Sequence, residues 1–391
     1  MTDMLPEQAL SAPATSALPQ EISTPETATA VATPTALPEG FVRMGLAPEL
    51  VQAVHDLGYT QPTPVQEKVI PVAMGTDHEQ DRYIDLMVSS QTGSGKTAAF
   101  LLPVLHTLMQ QQAQQQARER AEYERQCAEA AAKGETTPKR NRRKDPTNPR
   151  NFKAATPGAL ILCPTRELAQ QVAHDAIDLV RHCKGLRVAN VVGGMPYQLQ
   201  IAKLQNANLV VATPGRLLDL QRSMQLKLDQ VQFLVVDEAD RMLDLGFARE
   251  LDELFCALPK KRQTLLFSAT FSDAIRAMAK ELLRNPLSIE VSPRNAAAKS
   301  VKQWLIPVDK KRKAELFLHL LAQQRWGQVL VFAKTRKGVD ALVEELLAEG
   351  VSADAIHGDK PQPARLRALE RFKAGEVRVL VATDVAARGL D

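Results

Sequence analysis

The segment Ser90-Gln91-Thr92-Gly93-Ser94-Gly95-Lys96-Thr97 constrains this chain more than any other. It follows a short apolar run at residues 86–88 and precedes a helical pattern that begins at Ala98. In that context a glycine-rich turn aims backbone N–H groups, and the positive end of a helix, at phosphate oxygens. Lys96 is placed to bridge the outer phosphates of a nucleotide, and Thr97 to ligate Mg²⁺. Ser90 stands where the generic pattern has its first glycine. An ordinary strand-to-helix turn gives no reason for Gly-Lys-Thr at the helix start. Thr92, Gly93, Ser94, Gly95, Lys96 and Thr97 are therefore candidate nucleotide-binding residues.

Such a loop belongs to an open parallel sheet, and the rest of the chain supplies one. From Phe41 to Met109 and from Pro157 to Asp391, short β-branched runs alternate with longer helical patterns, which predicts an α/β fold. Strands are expected at 86–88, 159–162, 209–211, 233–236 and 264–267. Beyond a polar boundary at 292–300, four more are expected at 304–308, 329–332, 355–357 and 377–382. The polar residues of interest begin where these runs end, the side on which parallel sheets bind ligands. After 233–236 come Asp237 and Glu238. The first is suited to hold Mg²⁺ and the second to orient or deprotonate an attacking water. Without the phosphate loop, two acids at a strand end would read equally well as a solvated strand terminus.

Composition sets the outer limits. The 391 residues allow two or three domains. Residues 1–40 hold six prolines, five acids and no Lys or Arg, and predict a disordered tail. From Phe41 onward the net charge is +9, which suits a polyanionic partner. Cys127, Cys163, Cys183 and Cys256 form no C-x-x-C pair, which suggests neither a zinc site nor a disulfide framework and fits a reducing cytoplasm. The longest apolar stretch, 98–109, is far shorter than a membrane span, and the N-terminus carries no secretion signal.

Further segments carry a family resemblance. Asp237-Glu238-Ala239-Asp240 spells the DEAD sequence, and the chain from about Phe41 onward resembles the bacterial DEAD-box ATP-dependent RNA helicases, of the RhlE type. Residues 58–66, ending at Gln66, look like the Q motif. The resemblance implies that Gln66 reads adenine, with Tyr59 or Phe41 packing near the base. Pro164, Thr165 and Arg166, then Gly193 and Gly194, then Thr213, Pro214, Gly215 and Arg216 match the family's RNA-backbone elements. Ser268-Ala269-Thr270 resembles motif III, which implies coupling through Asp240, Ser268 and Thr270, the hydroxyls bonding Asp240. In the second block Thr335 lies in a motif IV-like segment, His357-Gly358-Asp359-Lys360 and Arg365 in the next, and Thr383 and Asp384 in a motif V-like one. There Thr383 is expected on RNA and Asp384 on the ribose. Pro361 and Pro363 are unusual neighbours for Arg365.

The resemblance implies two RecA-like lobes, 41–291 and 301–391, joined by a linker at 292–300. The second lobe is expected to be incomplete, because the chain stops before the segment in which family members carry motif VI. The chain as given is thus expected to be an inactive or weakly active fragment. ATP and Mg²⁺ are the implied cofactors. RNA is the implied partner, held by backbone contacts, with ribosome-assembly or RNA-decay proteins beside it and no membrane. An RNA-dependent ATPase that clamps RNA without unwinding it remains the alternative.

Residues 110–156 interrupt the pattern as an insertion. Between Arg118 and Lys153 it holds eleven Lys or Arg against six acids, five of the cations being Lys139, Arg140, Arg142, Arg143 and Lys144. A solvated helical insertion and an auxiliary RNA tether both fit. Deleting residues 136–153 separates them. A tether requires weaker RNA binding and a flatter dependence on salt, since fewer counterions are released. A solvated insertion leaves the slope of log Kd against log salt unchanged. ATP affinity is expected to be the same in either case.

Overall fold

The computed structural model describes residues 37–75, 84–89, 93–133, 153–291 and 302–383. The expected tail as far as residue 36, Ser90 to Thr92 of the phosphate loop, the basic run 139–144, the boundary at 292–300 and Asp384 lie outside the described residues.

Strands β1 (Leu86–Ser89), β2 (Ala159–Leu162), β3 (Val188–Val191), β4 (Leu209–Ala212), β5 (Phe233–Val236), β6 (Gln263–Ser268) and β7 (Leu287–Glu290) form one sheet. Its order is β3-β4-β2-β5-β6-β1-β7 and every pairing is parallel. The central strands β2, β4 and β5 are apolar throughout because both faces are covered. Side chains alternate: Phe233 and Val235 enter one core with Phe100 and Phe267, while Leu234 and Val236 enter the other with Leu217, Leu254 and Ile275. A second parallel sheet contains β8 (Val329–Ala333), β9 (Ala353–Ile356) and β10 (Val379–Thr383), in the order β8-β10-β9. Both sheets lie in one unit, Leu37–Asp391.

Several expectations change. Strand β3 ends just before Gly193 and Gly194, and both it and β7 carry polar residues, Asn190 in one and Ser288 and Glu290 in the other, that weaken the β-branched signal. The strand expected at 304–308 is absent. Residues 302–309 take no regular structure, Leu305 is 98% exposed, and Trp304 stacks on Trp326 instead of joining the sheet. The described second sheet thus has three strands, not four. The expected tail also ends earlier than residue 40, because Glu39–Arg43 is a helix that buries Phe41. The insertion begins as an uninterrupted continuation of the helix Lys96–Ala132, whose outer half is mostly exposed. Among the described residues, no helix is long and apolar enough to cross a membrane.

Phe267 meets Phe100 edge to face, with ring centroids 5.3 Å apart, directly below the sheet edge that carries the candidate catalytic groups. Replacing Phe267 with alanine is expected to cost about 3–5 kcal/mol in urea unfolding, through lost burial and a cavity. Leu305→Ala, on a side chain already in water, is expected to stay within about 0.5 kcal/mol.

Candidate functional site

Three neighbouring strands, β5, β6 and β1, end side by side, and the loops that leave them gather the candidate catalytic groups. Gly93 and Gly95 adopt φ of 73° and 86°, left-handed values that glycine takes without a Cβ clash. A Cβ on Gly95 would also lie 2.7 Å from Gln66 Nε2, so conformation and close approach demand glycine together. Lys96 opens the following helix. Its Nζ lies 4.0 Å from Asp237 Oδ1, and both side chains are buried. Ser94 and Thr97 flank it in the same turn.

Glu238 is the N-cap of the helix Ala239–Asp244 and sits at φ 51°, ψ 53°. A non-glycine residue there costs roughly 1–2 kcal/mol, so the surrounding packing must hold it. Its carboxylate is buried, with Arg241 Nε 3.9 Å from Oε2. Beside these acids the Cys163 thiol is pushed well above its usual range, chiefly by burial and further by the charges of Asp237 and Glu238. It is a neutral packing group rather than a nucleophile.

Asp240 links the ends of β5 and β6. Its Oδ2 accepts from the Thr270 backbone N–H at 3.0 Å and from the Thr270 hydroxyl at 2.9 Å. Only one of the two expected hydroxyls bonds Asp240, because Ser268 Oγ donates to the Thr270 carbonyl at 2.6 Å. Ser268 therefore shapes the turn that presents Thr270.

Gln66 touches the phosphate loop directly. Its Oε1 accepts from the Thr63 N–H at 2.9 Å and its Nε2 donates to the Gly95 carbonyl at 3.0 Å. Each end of the amide retains one further donor or acceptor position, the pair that adenine requires. Tyr59 is exposed beside this region and available to a base. Phe41 is wholly buried, in the core cluster that also takes Val65 and Val69 of the helix bearing Gln66.

The residues expected on RNA assemble elsewhere, in a cleft of about 870 Å³ lined from both sheets. Pro164, Thr165, Arg166, Gly193, Thr213, Gly215 and Arg216 come from the first, and Thr335 and Thr383 from the second. Gly194 and Pro214 do not line it. Gly194 lies behind, where a Cβ would be 2.7 Å from Arg166 Nη1, and Pro214 is buried at the start of the helix Pro214–Arg222. Thr165 and Thr335 are N-caps whose oxygens accept from Leu168 N–H at 3.3 Å and Gly338 N–H at 3.1 Å. With an acceptor position occupied, each hydroxyl proton is free to point at an anion.

Sequence reasoning missed the contact that closes this cleft. Glu167, one residue after Arg166, is buried and accepts from Gln362 Nε2 at 2.9 Å, while Arg365 Nη2 lies 2.9 Å from its other oxygen. Gln362 also donates to Gln170 Oε1 at 3.3 Å. Pro361 and Pro363 do not disturb the helix Gln362–Lys373. They occupy its N-cap and first turn, where no N–H is needed. Burial pulls the pKa of Arg365 down and Glu167 opposes that pull. The available signal was Gln362 and Arg365 three apart, on one helical face. Lys334, Arg336 and Lys337 also line the cleft, as do Leu245 and Phe247.

Residues 63–278 match the DEAD/DEAH box helicase family, and residues 312–391 match the helicase conserved C-terminal domain. The chain is 39% identical over 354 residues to the ATP-dependent RNA helicase RhlB of Pseudomonas aeruginosa, covering 90% of this chain and 78% of that protein. It is 37% identical over 352 residues to CshA of Listeria monocytogenes, covering 90% and 58%. Among solved structures it resembles S. cerevisiae Dbp5 bound to RNA and ADP BeF3, with a TM-score of 0.70, 28% identity, and coverage of 89% of this chain and 77% of that one. Its phosphate loop, its acids on adjoining strands and the extent of these matches agree: the chain belongs to the DEAD-box helicase family.

Proposed function

We propose that this protein is an ATP-dependent RNA helicase that couples ATP binding and hydrolysis to local opening of RNA duplexes or remodelling of RNA–protein complexes. The observation that carries this reading is one cleft lined by cations and capped hydroxyls from both sheets, which the contact of Glu167 with Gln362 and Arg365 joins at its wall. Such a lining contacts phosphate and sugar rather than base edges, so little sequence preference is expected. The likeness to RhlB and CshA supports a bacterial RNA helicase without singling out the RhlE type.

ATP is assigned to the loop that ends in Lys96 and Thr97. Gln66 and Tyr59 take the base and Lys96 the outer phosphates. The Thr97 hydroxyl and the Asp237 carboxylate suit Mg²⁺, a hard cation that prefers oxygen donors and keeps much of its water. When bound, Mg²⁺ neutralises charge on the phosphates. Glu238 is assigned as the base: it takes a proton from water as the water oxygen bonds to the γ-phosphorus and the bond to ADP breaks. Thr270 and Asp240 tie the loop after β6 to the turn that bears Glu238, so a change at the nucleotide moves both. When one RNA strand lies along the cleft with its backbone fixed by both sheets, its complement cannot follow the same path, and short duplexes open.

The test separates binding from chemistry. Glu238→Gln is expected to bind ATP and RNA as the wild type does and to lose RNA-stimulated phosphate release by at least about 100-fold. Lys96→Ala is expected to weaken ATP binding itself, by about 1.5–3 kcal/mol for a charge-assisted contact. Fluorescent-nucleotide titration and phosphate release read the two effects. Wild-type turnover by Glu238→Gln rejects the assigned base.

A further inference from the structure

Arg216 lines the RNA cleft, and among the described residues no carboxylate lies within ion-pair distance of it. Its position is set otherwise. Nη1 donates to the Met195 carbonyl at 3.0 Å, and the guanidinium carbon lies 5.5 Å from the centroid of the Tyr197 ring. The ring is itself pinned. The Tyr197 hydroxyl donates to the Asp219 carbonyl at 3.3 Å and lies 2.6 Å from Ser223 Oγ. Arg216, Asp219 and Ser223 are spaced i, i+3 and i+7, so the ring lies along one face of the helix Pro214–Arg222 and its C-cap. The loop on the other side is fixed by buried Gln200, which bonds the Val192 N–H and carbonyl at 3.0 Å each and the Met195 carbonyl at 3.1 Å.

A carboxylate in place of the ring would neutralise the arginine and occupy its donors. An aromatic face orients the guanidinium and leaves the charge intact, with most of its five N–H donors open. We propose that Tyr197 is a positioning residue for RNA: its ring holds the Arg216 guanidinium aimed into the cleft so that it meets a backbone phosphate. This rests on the cleft being the RNA site. Tyr197 need not touch RNA and has no part in ATP chemistry.

The test is binding of a fluorescein-labelled single-stranded oligouridylate to the full chain with ADP–beryllium fluoride present, measured by anisotropy over a range of salt. Tyr197→Leu is expected to weaken binding about fivefold, the equivalent of about 1 kcal/mol. It should also flatten the slope of log Kd against log salt toward that of Arg216→Ala, which loses about one phosphate contact. Tyr197→Phe keeps the ring face and is expected to stay within about twofold of wild type. In an Arg216→Ala background Tyr197→Leu is expected to add nothing. Should Tyr197→Leu reduce the yield of folded protein, Tyr197→Gln, which can keep a bond to Ser223 but has no ring, reads the same coupling. Equal losses from the tyrosine change with and without Arg216 overturn the proposal, as does wild-type RNA affinity in Tyr197→Leu or Tyr197→Gln when Arg216→Ala binds weakly. Wild-type RNA affinity in Arg216→Ala overturns the cleft reading at this position, and the proposal with it.

Discussion

One buried carboxylate, Glu167, joins the two sheets of this protein. It stands in the first turn of a helix of the first sheet and takes both Gln362 and Arg365 from a single helix turn of the second. Breaking such a pair from one side costs about 3–5 kcal/mol, because the partner charge stays buried, whereas the intact pair contributes little net stability. Its value is therefore geometric. It fixes which face of the second sheet meets the first, and hence that Thr335 and Thr383 stand across from Arg166 and Arg216. A purely apolar contact would bury the surfaces without specifying this register.

The same placement ties the proposed RNA cleft to the proposed nucleotide site. Glu167 follows Arg166, whose guanidinium lies against Gly193 and Gly194, and the helix that carries both begins just beyond β2. Strand β2 pairs with β5, and Asp237 leaves β5 with its N–H bonded to the Leu162 carbonyl of β2 at 3.0 Å. One strand pair thus separates a proposed RNA contact from a proposed metal ligand. Asp240 and Thr270 extend the connection to β6, and β6 pairs with β1 below the phosphate loop. Because a packed interior deforms little, these paired strands offer a continuous path between the two proposed sites.

Much of the first sheet was legible in the sequence, for a physical reason. Strands buried on both faces read as continuous apolar runs, and the residues after them are freed for chemistry, so Lys96 and Asp237 stood out by position, whereas Gln66, in the helix Pro64–Ala73, and Asp240 were read from the family resemblance. What escaped depended on partners distant in the chain. Glu167 looks like an ordinary acid near a helix N-terminus until Arg365, nearly 200 residues later, is seen against it. Residues 304–308 had the composition of a strand, yet a strand needs a partner edge, and Trp304 is held instead by Trp326. Ser268 and Thr270 are two residues apart and similar in chemistry. Only the turn geometry assigns one to the backbone and the other to Asp240.

The account turns on the clasp at Glu167, and RNA affinity in Glu167→Ala, Arg365→Ala and the double variant measures it most directly, with ATP affinity in the absence of RNA determined alongside. Each single change should weaken RNA binding in the presence of a non-hydrolysable ATP analogue by at least about tenfold, the equivalent of about 1.4 kcal/mol. ATP binding should be unaltered, and the double variant should be no weaker on RNA than the worse single one, as two halves of one interaction require. Wild-type RNA affinity in both single variants would contradict the account, because the cleft would then form without the contact held to build it.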